Sequence, residues 1–97
     1  MSIGEARHDM SGYVYILQSD RNQRYYIGFT HNVETRLIYH NSGKVTATRN
    51  KGPWVIKYLQ EYPDEIMAKR VEYKLKQLKN KTIIDRIIAE QKILITA

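Results

Sequence analysis

An α/β domain with a three-stranded, mainly antiparallel sheet flanked by helices is predicted by three observations. Two aromatic-rich segments, YVYIL at 13–17 and YYIGF at 25–29, are joined by SDRNQR, a run of turn formers and charges that suits a hairpin loop. A third β-prone segment, WVIKYLQEY, occupies 54–62. Three further stretches carry apolar residues at helical spacing directly after an Asn or Asp suited to capping.

The chain opens on MSIGEARHDM, which carries Glu5 and Asp9 and lacks the apolar run of a secretory leader, so residues 1–11 are expected to form a loose, disordered tail. In the hairpin, alternation puts Tyr13, Tyr15 and Leu17 on one face and Val14 and Ile16 on the other. On the second strand Tyr26 and Gly28 oppose Tyr25, Ile27 and Phe29, so Tyr15 and Tyr26 are expected to share a face. A side chain at position 28 would intrude where strand meets helix or ligand.

Asn32 is the N-cap of a helix over 33–41, and Gly43 follows where a left-handed residue ends a helix. Arg36 and His40 lie four residues apart beside Val33 and Leu37, hence next to each other. The plain alternatives are that His40 complements the helix C-terminus and that the Arg36 stem covers apolar surface. Residues 42–53, SGKVTATRNKGP, have the composition of an exposed loop. Its Lys44, Arg49 and Lys51 are candidate phosphate contacts, with the Thr46 and Thr48 hydroxyls offered to the same oxygens; the alternative is a solvated loop.

In the third strand, Trp54, Ile56 and Tyr58 fall on one face and Val55 and Leu59 on the other, which predicts a central strand covered on both sides. Trp54 belongs in the core in preference to stacking on a base. Asp64 caps a helix over 65–79 with an apolar stripe of Met67, Ala68, Val71, Leu75 and Leu78. Glu72 sits at the margin of that stripe with Lys69, Lys76 and Lys79 at helical distances, the pattern of an ordinary surface ion pair. Six cations and one acid lie between 69 and 81, either a solvated face or a track for a phosphate backbone on which Lys69 and Lys76 are the candidate contacts. Asn80 caps a last helix over 82–91, whose Ile83, Ile84, Ile87 and Ile88 close the core. The domain is expected to span 12–91. Its tail, 92–97, is apolar enough to pack on it, pair with another chain or fray.

A chain of 97 residues holds one domain with a modest core. A net charge of +6 and a pI of about 9.6 favour polyanionic partners. The absence of cysteine excludes disulfides, thiolate catalysis and thiolate zinc sites, in keeping with a cytoplasmic setting. No apolar run approaches the ~20 residues of a membrane span, so no membrane association is expected. His8 and His31 have no partner at metal-ligand spacing.

The ordered set Tyr13-Val14-Tyr15, Tyr26-Ile27-Gly28, Arg36, His40 and Glu72 resembles the GIY-YIG nucleases over residues 13–88, at the length of the small stand-alone bacterial members, an uncharacterised protein family. The second tripeptide matches outright; in the first, Tyr13 stands where the family has Gly, with Gly12 one residue early. Asn80 is the nearest candidate for an asparagine that some members carry after the glutamate.

The resemblance implies a metal-dependent endonuclease hydrolysing phosphodiester bonds of DNA, with RNA also open, in a repair or recombination setting. Such a catalyst must activate water, neutralise the phosphate and stabilise the leaving oxygen. Accordingly Glu72 is expected to hold a single Mg²⁺ or Mn²⁺, and Arg36 to grip the scissile phosphate. Tyr15 is expected to activate the water, Tyr26 to orient it and His40 to relay the proton. A free tyrosine has a pKa of ~10, so that role calls for nearby cations favouring the phenolate. The alternatives are half-buried sheet aromatics at 15 and 26, and a non-catalytic nucleic-acid-binding or protein-interaction module. The expected assembly is a monomer or weak homodimer, docked in some settings on a larger repair complex.

Overall fold

A computed structural model describes residues 11–93, so most of the two expected tails, 1–10 and 94–97, lies outside the described residues. The elements run β1 (Gly12–Ser19), β2 (Tyr25–Thr30), α1 (Val33–Asn41), a 3-10 turn (Thr46–Thr48), β3 (Trp54–Tyr62), α2 (Glu65–Leu78) and α3 (Lys81–Glu90). The three helices begin where side-chain caps were expected. The carboxamide of Asn32 accepts from the Thr35 amide at 3.0 Å, Asp64 from Met67 at 2.8 Å and Asn80 from Ile83 at 3.2 Å. Each supplies an acceptor to one of the amides that a first helical turn leaves unpaired. The Asp64→Ala variant is therefore expected to lose about 1 kcal/mol of folding free energy, read as a lower urea midpoint at unchanged slope.

The sheet order is β2-β1-β3, antiparallel throughout. This corrects the reading of β3 as central: β1 holds that place, and β3 is an edge strand with Val55 and Leu59 exposed. A bulge corrects a second expectation. Ile16 pairs with Tyr58 but Leu17 pairs with Ile56, which leaves Lys57 unmatched and turns Tyr58 to the face opposite Trp54 and Ile56.

Each sheet face carries its own core. On one, Val14, Ile16 and Tyr58 pack against Ala68, Val71 and Leu75 of α2 and Ile84 and Ile87 of α3. On the other, Tyr15, Leu17 and Trp54 gather Tyr26, Leu37 and Ile56 beneath α1. Every residue of β1 from Val14 to Leu17 is buried, as befits a strand covered on both sides. Among the described residues no helix is long and apolar enough to cross a membrane.

Candidate active site

Tyr15 projects from the central strand into the smaller core, where its ring is buried against Trp54 and Leu17. Its phenol lies directly over the backbone of Gly28, its partner across the ladder, and a Cβ at position 28 would stand 2.3 Å from the hydroxyl oxygen. Only glycine leaves that space open, which explains the Tyr-Ile-Gly run of β2 in steric terms.

The Tyr15 hydroxyl is 2.9 Å from His40 Nε2, and His40 Nδ1 is 2.8 Å from Thr48 Oγ1. The Thr48 hydroxyl donates to the Val45 carbonyl at 3.4 Å. A hydroxyl has one proton, so Thr48 accepts from Nδ1–H, Nε2 keeps its lone pair, and the Tyr15 O–H donates into it. Trp54 Nε1 fixes the far end of this line by donating to the Thr48 carbonyl at 3.1 Å. The phenol proton therefore has a defined acceptor.

Tyr26 completes the aromatic wall. Its ring centroid is 4.8 Å from that of His40 and 6.3 Å from that of Tyr15. Arg36, half-buried on the same helix as His40, lines a hollow with Phe29, Thr30, Thr35 and Tyr39. Glu72 reaches the same region from α2, across the free edge of β2. Its Oε2 is 3.0 Å from Lys76 Nζ, and that ammonium lies 5.5 Å from the centre of the Tyr26 ring.

Burial pushes the Tyr15 phenol well above its ordinary range; Tyr26 and Glu72 add to the effect, while Arg36 opposes it. Burial, assisted by the Arg36 charge, holds His40 down from its ordinary 6.5 to about 4. Both groups are neutral at pH 7, so His40 is a proton acceptor and not a helix-dipole cation.

The depressed imidazole has a consequence for folding. Between pH 6.5 and about 4 the unfolded chain takes up a proton that the folded chain refuses. Folding free energy is thus fully present above 6.5, falls through that window and is lost no further below it, by on the order of 3 kcal/mol in all. Urea midpoints measured from pH 7 to 4 are expected to fall more steeply for the natural chain than for His40→Asn, which lacks the titration.

With this geometry in view, the family model described as the GIY-YIG catalytic domain matches residues 11–85. The chain belongs to the GIY-YIG family. Its relatives within that family include bacterial UPF0213 proteins. That of Oceanobacillus iheyensis is 41% identical over 71 residues, 72% of this chain and 81% of the relative. That of Vibrio campbellii is 35% identical over 82 residues, 84% of this chain and 77% of the relative. The solution NMR structure of a UPF0213 protein from Bacillus halodurans has a TM-score of 0.54 and 31% identity, covering 84% of this chain and 87% of that one.

Set on the GIY-YIG fold, the five site residues expected from the sequence converge: Tyr15, Tyr26, Arg36 and His40 on one sheet face, and Glu72 at its edge. The basic candidates divide. Lys69 and Lys76 flank β2, with Lys69 Nζ 5.3 Å from the Phe29 ring centre. Lys44, Arg49 and Lys51 are exposed on the loop that carries Thr48 and are tied to it locally. Arg49 Nε donates to the Gly43 carbonyl at 3.0 Å, Lys51 Nζ to the Ala47 carbonyl at 3.3 Å, and Lys44 sits over the Tyr39 ring. Thr48 is a correction. It is buried and holds His40, so its hydroxyl is not offered to phosphate. Asn80 is engaged as a helix cap.

Proposed function

We propose that this GIY-YIG protein is a divalent-metal-dependent endonuclease that hydrolyses phosphodiester bonds of DNA. The observation that carries the reading is the line Tyr15–His40–Thr48, whose phenol end feels both the Arg36 and the Glu72 charges.

The donor set bears on the metal. Among the described residues no three His, Cys, Asp or Glu side chains cluster, and Glu72 is the acid whose charge acts on Tyr15. Its partial burial and its present pairing with an ammonium mark a place where positive charge is stabilised. A lone carboxylate suits a hard, largely hydrated cation such as Mg²⁺ or Mn²⁺, completed by water and phosphate oxygens. When bound, such an ion supplies charge neutralisation at the phosphate and at the leaving oxygen.

The chain's own groups account for the remaining requirements. Arg36, always charged, grips non-bridging oxygens and orients the phosphate. Neutral Tyr15 cannot act as a standing base. It takes a proton from the attacking water as it passes its own to His40 Nε2, so phenol and imidazole work as one acceptor. The Tyr26 ring, packed on His40, holds that imidazole and narrows the space left for water.

Labelled single-stranded, duplex, nicked and branched DNA, incubated with purified protein and Mg²⁺ or Mn²⁺, is expected to be cut, and Glu72→Gln to abolish the cutting. An inert protein on all four substrates overturns the reading. The Glu72–Lys76 pair favours a second reading, a binding module without turnover, for which nucleic-acid affinity is indifferent both to metal and to Glu72→Gln.

A further inference from the structure

Beside Tyr26 a groove of about 550 Å³ runs along the free edge of β2 towards the α2–α3 turn. Its floor is apolar, made by Ile27, Leu75 and Ile84, and its rim is cationic, made by Arg24, Lys76, Lys79 and Lys81. Two rim ammonium groups are already held over β2 aromatics, Lys76 over Tyr26 and Lys81 over Tyr25, at 5.5 and 5.3 Å from the ring centres. Two acids stand near the rim: Glu72, paired with Lys76 Nζ at 3.0 Å, and Asp85, engaged by the Tyr25 hydroxyl and by Lys81 Nζ at 3.3 Å.

Lys79 stands where the rim meets the end of α2. It ends α2 in the left-handed conformation, φ +46°, a place that glycine occupies without cost. Gln91 ends α3 in the same way, so the conformation is that of an ordinary helix C-cap. Lys79 lines the groove.

We infer that this groove seats an unpaired, single-stranded stretch of nucleic acid next to the scissile phosphate, bases on the apolar floor and phosphates on the lysine rim. A duplex turns its phosphates outward and hides its base faces, so it matches the rim but not the floor. A single strand offers both, and aromatic or apolar floors bordered by cations are how such strands are held. The seat itself stands on the groove alone; only the fate of the bound strand rests on the nuclease reading.

The test is fluorescence anisotropy of the full chain with a labelled oligothymidine and with a blunt duplex of equal length, in chelator and without divalent ions. The single strand is expected to bind at least about tenfold more tightly, the worth of one stacked base. Lys79→Gly is expected to weaken single-strand binding and to reduce its log–log salt slope by about 0.7, one phosphate contact, while leaving duplex binding unchanged. Because glycine suits φ +46°, this variant is expected to melt no lower than the natural chain, so a loss of binding is not a loss of fold. Equal affinity for strand and duplex, or a Lys79→Gly effect that is absent or shared by both, overturns the inference. Groove-dependent binding with no cleavage on adding Mg²⁺ supports the seat and overturns the nuclease reading; cleavage untouched by Lys79→Gly, with binding also unchanged, does the reverse.

Discussion

Replacing Tyr15 by phenylalanine is expected to slow phosphodiester cleavage by about 10²–10⁴-fold, the range for a positioned proton acceptor. The phenylalanine ring still fills the pocket beside Leu17 and Trp54, so little volume changes. What disappears is the hydroxyl 2.9 Å from His40 Nε2, and with it the route by which a proton leaves water for the imidazole. A buried Nε2 without its donor also costs about 1–3 kcal/mol of folding free energy. Single-turnover cleavage of a labelled strand, beside a urea melt of the same sample, separates the two effects. A Tyr15→Phe protein that is folded and cuts within tenfold of the natural rate removes Tyr15 from the chemistry. Residues that act as one unit are not additive, so Tyr15→Phe combined with His40→Asn is expected to be little slower than the slower single variant.

The Trp54→Ala variant is expected to lose about 3–5 kcal/mol, a large part of the roughly 5–15 kcal/mol available to a domain of this kind. Trp54 is 4% exposed, anchors the smaller core, and gives its indole N–H to the Thr48 carbonyl. Its removal leaves a void beneath α1 and frees the residue that holds His40. Trp54→Phe separates these contributions, since it keeps most of the packing and removes only the indole N–H from the Thr48 carbonyl, which still accepts from the Lys51 amide at 3.2 Å, at about 1 kcal/mol. Urea midpoints for the two variants decide the matter; a loss below about 1 kcal/mol for Trp54→Ala would mean that the smaller core is not structural.

Local features were the legible ones. Alternation placed Tyr15 beside Tyr26, and capping side chains at Asn32, Asp64 and Asn80 marked three helix starts, because each depends on neighbours within a few residues. The place of β3 was not local. A strand with apolar residues on both faces reads as central, yet sheet order depends on which strand β1 meets second. The bulge at Lys57 escaped for a related reason, as WVIKYL offers an apolar residue to either face before and after the slip. Thr48 was a matter of chemistry: a hydroxyl suits phosphate as well as imidazole, and nothing in TAT separates Thr46 from Thr48 until the loop folds under Trp54. Glu72 lay between these cases. Its margin position was visible, but its approach to the tyrosines depends on α2 lying along the β2 edge, and the ordered family motifs carried that expectation.

The middle strand feeds one side chain to each face in turn, so Val14 and Ile16 root the larger core while Tyr15 between them serves the site. Amides there are released to solvent only when the whole domain opens. His40 instead rides near the end of a nine-residue helix whose other side chains are all at least partly exposed. The donor of the proton path thus shares the lifetime of the native state, whereas its acceptor is held by a segment free to unfasten on its own. On gentle warming, loss of function should begin at that short outer helix while the sheet is still intact.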